Sequence, residues 1–301
     1  MQFRRIKKNV NGVLLLDKPL GFSSNQALQK VKWLYSAAKA GHTGTLDPLA
    51  TGLLPICLGE ATKFAQYVTD ADKTYFATIK LGATTTTGDA EGEVLTTASV
   101  KVTRAQFLAA SQQFIGEISQ VPPMYSALKH EGRALYAYAR AGVDIERQAR
   151  YITIKNIEVN AFEGDVAQIT VTCSKGTYIR TLAEDVGALL GCGAHLIGLR
   201  RTETAGYLLP QAVTIEQLGA MPIEAREALL LPVDSAIESL PVVTLNADAA
   251  FYLMQGQAVW QAGKMPSGDM RLYDEQNNFL GLGCMQDDGK IAPKRLIKNA
   301  S

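Results

Sequence analysis

The chain has 301 residues, 47% of them apolar, with a formal net charge of +1 and four scattered cysteines. That length and apolar share suffice for about two domains with a sizeable core, and no run of 18 apolar residues points to a membrane-spanning helix. Cys57, Cys173, Cys192 and Cys284 form no CxxC pair, and His42, His130 and His195 show no HxH or HxxxH spacing. Free buried thiols are therefore expected in place of zinc ligands or disulfides. The basic opening, residues 1–8, lacks the apolar stretch of a secretion signal, so a cytoplasmic protein without a structural metal is expected.

In chain order, the apolar run at residues 13–16 predicts a buried strand. Ser23 or Ser24 can cap a helix that turns Ala27, Leu28, Val31 and Leu34 to the core. Residues 53–58 read as a strand, 60–68 as a helix and 75–81 as an alternating strand. Residues 83–92, rich in Thr and Gly, read as a polar loop. Thr103 opens a helix carrying Phe107, Leu108, Ser111 and Phe114 that stops at Gly116. A helix is expected at 133–140, strands at 151–159 and 166–173 joined through Glu163-Gly164-Asp165, and a helix over 177–190 ended by Gly191. Residues 210–240 are acidic and punctuated by Pro210, Pro222 and Pro232. Beyond 240, short strands at 242–245, 268–273 and 279–283 suggest a small β-rich module. Interspersed strands and helices without regular βαβ alternation predict an α+β fold with a mixed, mostly antiparallel sheet flanked by helices.

Charge is unevenly spread. Residues 1–65 hold nine Lys/Arg against three Asp/Glu, and residues 203–240 hold one Arg, Arg226, against six acids. A local basic surface can therefore exist on a nearly neutral molecule, although a basic tail of solvated lysines fits the same numbers. Lys129, Arg133, Arg140, Arg147 and Arg150 are interleaved with Tyr136 and Tyr138. Such a pattern suits RNA, cations meeting phosphates and rings meeting bases; it also suits an exposed amphipathic helix.

The string Gly41-His42-Thr43-Gly44-Thr45-Leu46-Asp47-Pro48-Leu49-Ala50-Thr51-Gly52 holds one potential nucleophile inside a glycine-bounded loop. Pro48 fixes its own φ and pushes Asp47 towards extended backbone, so the carboxylate is offered from a loop and not from a helix. Spacing alone also allows an ordinary Asp-Pro turn.

The whole string resembles the catalytic loop of the TruB-type tRNA pseudouridine synthases. Further strings resemble that family in the same order over about residues 9–209: Asp17-Lys18-Pro19 with Gly21-Phe22-Ser23-Ser24; Leu53-Leu54-Pro55 through Lys63; Asp72-Lys73-Thr74-Tyr75; Pro122-Pro123-Met124-Tyr125-Ser126-Ala127-Leu128-Lys129; Cys173-Ser174-Lys175-Gly176-Thr177-Tyr178-Ile179-Arg180; Gly193-Ala194-His195-Leu196; and Leu199-Arg200-Arg201. Several long motifs in sequence make a chance match far less plausible than a lone short one. The weaker likeness beyond residue 240 is to the family's PUA-like RNA-binding module.

The resemblance implies isomerisation of uridine 55 in the tRNA T-loop, catalysed by residues 1–240 with an RNA-contacting insertion at about 125–150 and aided by a C-terminal domain at 241–301. The reaction breaks the C1′–N1 bond, turns the base and rejoins it through C5; no redox change is involved, so no cofactor is expected. By resemblance Asp47 is the nucleophile or base beside the ribose, and Arg180 lowers its pKa. Tyr75 stacks on the base and assists proton removal at C5, Tyr178 and Leu199 line the uracil pocket, and His42 fills the space left by the flipped nucleotide. Each has a plainer reading: Tyr75, Tyr178 and Leu199 as core residues, Arg180 as a surface ion pair, His42 as a solvated turn residue. Lys18, Lys63 and Lys129, with Arg133 and Arg140, are candidate RNA contacts. The expected partner is the T-arm and T-loop of tRNA, and the expected state is a monomer with no membrane and no obligatory protein partner. Two other functions fit parts of the sequence: a tRNA-binding or folding factor, and a glycosidase pairing Asp47 with Asp17 or Glu60 across a substrate.

Overall fold

The computed structural model describes residues 6–263 and 265–298; the opening Arg4 and Arg5, counted above in the basic N-terminal segment, lie outside the described residues. The chain runs β1 (Gly12–Lys18), α1 (Ser24–Leu34), β2 (Ala40–His42), β3 (Ala50–Leu58), α2 (Ala65–Asp70), β4 (Lys73–Leu81), β5 (Ala83–Thr85), β6 (Val94–Thr97) and α3 (Arg104–Gln112). It continues through β7 (Gly116–Gln120), β8 (Lys129–His130), β9 (Arg133–Ala134), α4 (Leu135–Ala139), β10 (Arg150–Glu163), β11 (Val166–Cys173), α5 (Ile179–Leu189), β12 (Ala194–Thr204) and β13 (Tyr207–Leu208). The last part holds α6 (Ile215–Ala220), α7 (Ile223–Glu227), β14 (Val242–Thr244), α8 (Ala247–Met254), β15 (Asp269–Tyr273), β16 (Phe279–Met285) and β17 (Ile291–Leu296).

The central sheet is ordered β1-β3-β12-β4-β11-β10-β7, with β2 added on β3 and β13 on β12. Its β3–β12 pair is parallel and the other pairs are antiparallel, which is the mixed, mostly antiparallel sheet expected. β1 and β3 read as unbroken apolar runs because both their faces are covered. Leu14, Leu16, Leu54 and Ile56 join the core under α1 and α5, while Val13, Leu15, Leu53 and Cys57 pack with Phe64, Val68 and Ile237 on the other side. β4 alternates in burial along its length, as its sequence predicted.

Capping boxes set the starts of α1 and α3. Ser23 and Gln26 exchange bonds at one, Thr103 and Gln106 at the other, so two orphan N–H groups are satisfied reciprocally in each. The helix expected over 60–68 is instead a 3₁₀ turn at Gly59–Lys63 followed by α2, with a break where Phe64 buries its ring edge-on against Phe279 at 5.6 Å. The stretch expected as loop at 83–92 contributes β5, which pairs with β6, a strand not anticipated. The helix expected at 133–140 is a two-residue hairpin, β8 with β9, leading into the five-residue α4. The sequence pattern anticipated neither β7 nor β12.

The acidic segment folds back over the start of the sheet, with Leu231 bridging Val13 and Val213 bridging Leu16. Its lone cation, Arg226, donates to the Leu34 carbonyl at 2.8 Å and the Leu218 carbonyl at 2.7 Å, closing the C-terminal ends of α1 and α6. The C-terminal module is a four-stranded sheet, β14-β15-β16-β17, around its own core of Leu245, Leu253, Met270, Leu272 and Ile291. It meets the rest of the chain at the segment just after β3, where Lys63 donates to the Leu296 carbonyl at 2.7 Å and the Tyr67 hydroxyl to Asp269 at 2.6 Å, and at the acidic segment, where Arg271 lies 3.1 Å from Asp234.

Candidate active site

The loop between β2 and β3 is pinned from three directions. The Thr43 N–H donates to the Pro55 carbonyl at 3.1 Å. The buried Ser24 hydroxyl donates to the Leu46 carbonyl at 2.9 Å and accepts the Leu46 N–H at 2.7 Å. The Gly21 N–H donates to the Pro48 carbonyl at 2.9 Å. Asp47 therefore projects from a backbone with little freedom into a cleft of about 590 Å³. The same cleft is lined by Tyr75 from β4, Tyr178 and Arg180 from the start of α5, and Leu199 and Arg201 from β12.

Arg180 Nη2 stands 3.0 Å from Asp47 Oδ2; the carboxylate side chain is 36% exposed and the guanidinium side chain 5%, so the carboxylate faces the cleft and the cation backs it. The guanidinium is fixed by the Thr87 carbonyl at 2.9 Å and the Tyr125 carbonyl at 2.6 Å, and lies 3.6 Å from buried Asp89. Asp89 in turn accepts the Thr87 hydroxyl at 2.5 Å and the Glu91 N–H at 3.1 Å. Burial pushes the Asp47 carboxyl above its ordinary value, Asp89 adds to that push, and Arg180 and Lys18 oppose it. Arg180 lowers the carboxyl pKa as expected, and desolvation, the larger cause, outweighs it. A carboxylate held this way is a stronger base and nucleophile than a solvated one.

Tyr75 is buried in the cleft wall, and burial raises its phenol pKa while Arg201 lowers it. Tyr178 and Leu199 are both half-buried there, an aromatic and an aliphatic surface able to face a planar base. His42 lies at the end of β2, outside the cleft lining, with its Nδ1 buried and unpartnered. Burial, and then the Arg201 charge, lower its pKa, so the imidazole is neutral at pH 7.

The candidate RNA contacts separate into two groups. Lys129, Arg133 and Arg140 are exposed on the β8–α4 arm, whose Leu128 lines the cleft. There Arg133 stacks over Tyr138 at 4.9 Å and Arg140 over Tyr136 at 5.5 Å. Lys18 and Lys63 sit elsewhere. Lys18 is fully buried, donates to the Pro19 and Phe22 carbonyls, and has no surface to offer a phosphate; burial pushes its ammonium down to about 8. Lys63 is bound to Glu60 at 2.6 Å and to the C-terminal module. The partners required by a glycosidase reading are also occupied: Asp17 pairs with Arg200 at 2.6 Å and Glu60 with Lys63.

Asp89 and Arg201 were missed as site residues. Asp89 sits in a Thr- and Gly-rich stretch whose composition signals only a turn. Arg201 belongs to a quoted motif but carries no spacing signal of its own.

With this geometry in place, comparison with known proteins is specific. The chain matches the model of the TruB family pseudouridylate synthase N-terminal domain over residues 32–179. It matches the tRNA pseudouridylate synthase B C-terminal domain over 180–238 and the pseudouridine synthase II TruB C-terminal model over 241–297. It is 63% identical to tRNA pseudouridine synthase B of Methylobacillus flagellatus, over 100% of this chain and 99% of that one. The protein of the same name from Stutzerimonas stutzeri is 54% identical over 99% of both. Among solved structures, a chain of a Cbf5-Nop10-Gar1 complex superposes with a TM-score of 0.71 at 27% identity, covering 95% of this chain and 84% of that one.

Proposed function

The chain belongs to the TruB family of pseudouridylate synthases, and from that premise we propose that it isomerises uridine 55 in the T-loop of tRNA, with Asp47 as the group acting at the ribose. One observation supports this above the others: the Asp47 carboxylate, the Arg180 guanidinium 3.0 Å away, and Tyr75, Tyr178 and Leu199 line a single cleft.

The target uracil enters between Tyr178 and Leu199 after leaving the T-loop stack, which costs a few kcal/mol. His42, neutral and held beside the catalytic loop, fills the space behind it. Asp47 either attacks C1′ or removes the C2′ proton; both routes cleave the C1′–N1 bond, and both need the carboxylate that the cleft presents. The freed base turns and C5 bonds to C1′. Tyr75 then serves the last step, loss of the C5 proton. The cations of the β8–α4 arm meet the T-arm phosphates, and the module from residue 241 adds RNA contacts to a catalytic portion ending at 240. Binding of this kind is dominated by phosphates, so affinity and catalysis are separable.

The test is release of tritium from C5-labelled uridine in unmodified tRNA, wild type and Asp47→Asn in parallel. Release by wild type alone supports isomerisation at Asp47. A wild type that binds the tRNA without releasing tritium is a binding or folding factor.

A further inference from the structure

Among the described residues Arg201 is the largest fully buried side chain. Among the described residues no carboxylate lies within ion-pair distance of it. A buried guanidinium without a counter-charge is costly, and such a cost is met where the charge has work to do. Its position in the sheet says where. Arg201 lies on β12, directly opposite Gly52 of β3 on one side and Tyr75 of β4 on the other. Directly opposed residues share a face, so the guanidinium and the phenol project together into the cleft wall. The fork donates from Nε to the Leu53 carbonyl at 2.7 Å and from Nη2 to the Gly44 carbonyl at 3.2 Å, inside the catalytic loop. A Cβ at Gly44 would sit 3.2 Å from Nη1, so the glycine leaves the space that the guanidinium fills. Around the Tyr75 hydroxyl the charged and titratable neighbours are Arg201 from β12, Cys173 from β11 and Asp47 from the catalytic loop, and Arg201 alone among them is a cation.

Building on the function proposed above, we propose that Arg201 is the positioning residue for Tyr75: it sets a cation beside the phenol from the frame that carries Asp47 and stabilises the negative charge Tyr75 takes on in the C5 proton transfer. In that step the phenol proton passes to N1 of the turned base, and the C5–H bond breaks. Its electron pair restores the C5=C6 double bond, and the C5 proton goes to the phenolate oxygen. The two transfers move one proton from C5 to N1 and return Tyr75 to its starting state, so no outside acid or base is consumed.

The experiment compares single-turnover conversion of tRNA carrying 5-deuterated and ordinary uridine, for wild type, Arg201→Gln and Arg201→Lys, over a pH series. Wild type that fails to convert either substrate overturns the function proposed above and is read before the variants. Given an active wild type, Arg201→Gln is expected to slow conversion on the order of 10²-fold, to show a larger deuterium isotope effect than wild type, and to recover as pH rises. Should Arg201→Gln not fold, Arg201→Lys decides. A lysine keeps the charge but, as a single point donor, cannot reach Gly44, Leu53 and Tyr75 together, so its isotope effect should also exceed that of wild type. A slowed variant with an unchanged isotope effect and a flat pH response would make Arg201 a purely structural residue and overturn the inference. So would conversion at the wild-type rate.

Discussion

Asp47 shows how local chemistry becomes a measurable property. Its carboxyl is pushed up by burial against the pull of Arg180, so single-turnover conversion should fall with decreasing pH through a midpoint above the ordinary carboxylate range. Asp47→Asn should abolish conversion across that range while tRNA affinity stays within a few-fold, since phosphates supply most of the binding. The stability sign follows from the same direction. A carboxyl whose folded pKa is raised binds its proton more tightly in the native state, so the ionised form costs stability above that pKa and the cost fades as pH falls towards 3.8. Asp47→Asn removes the cost. Arg180 keeps Asp89 and two carbonyls, so the variant's Tm at pH 7 should be modestly above that of wild type, and a lower Tm would refute the account. His42 makes a separate prediction. If the neutral imidazole fills the place of the flipped base, His42→Ala should raise the energy of the flipped state on the order of 1–3 kcal/mol. The loss should shrink on a T-arm hairpin whose target uridine is already unstacked. Equal losses on tRNA and hairpin would assign His42 to the loop or the chemistry. At this scale the cleft positions of Asp47, Tyr75, Tyr178 and Arg180 were legible because each stands inside a long motif, and that of Leu199 through a three-residue one. Asp89 was not, since its partner Arg180 is far away in sequence and nothing local marks the pair.

Elements divide by how their signals are written. The starts of α1 and α3 could be read because a Ser or Thr with Gln three residues on is a local device. β12 could not, because its Gly198, Arg200, Arg201 and Thr202 serve the cleft and its neighbours and erase the apolar pattern of a central strand. The helix expected over 60–68 fails for a related reason, since Phe64 turns towards a distant partner, Phe279. The β3–β12 pairing depends on Gly52, whose φ is +97° and whose Cβ would lie 2.4 Å from the Arg201 carbonyl oxygen. Gly52→Ala should therefore lower stability on the order of 1–3 kcal/mol in urea unfolding and depress conversion with it. Unchanged stability would show that the two strands can separate without cost. The β8–α4 arm carries its arginines on tyrosine faces at 4.9 and 5.5 Å, where they remain exposed. Replacing Arg133 and Arg140 with Ala should flatten the fall of log affinity with log salt by about one for each phosphate that is no longer neutralised. An unaltered slope would return the arm to a solvated surface element.

On the scale of the whole molecule, the segment that follows the Asp47 loop also contributes to the junction with the C-terminal module. β3 runs from beside Asp47 to Leu58, and the next turns hold Glu60, Lys63, Phe64 and Tyr67, all four in contact with residues beyond 268. The same stretch of chain thus ties the module to the loop that presents Asp47. Lys63 tests this. Its ammonium donates to Glu60 at 2.6 Å and to the Leu296 carbonyl at 2.7 Å, while Glu60 accepts the Lys298 N–H at 2.6 Å. Lys63→Met keeps the length of the stem but leaves the Leu296 carbonyl and the Glu60 carboxylate short of a donor, and losing part-buried bonds of this kind costs on the order of 1 kcal/mol. A junction residue should then lower the Tm, or split one calorimetric transition into two, and leave the salt dependence of tRNA binding unchanged. A phosphate-binding residue should do the opposite, reducing the salt slope by about one with no effect on melting. The bonds to Glu60 and Leu296 favour the first result; the second would show that Lys63 leaves them for the phosphate backbone when tRNA binds.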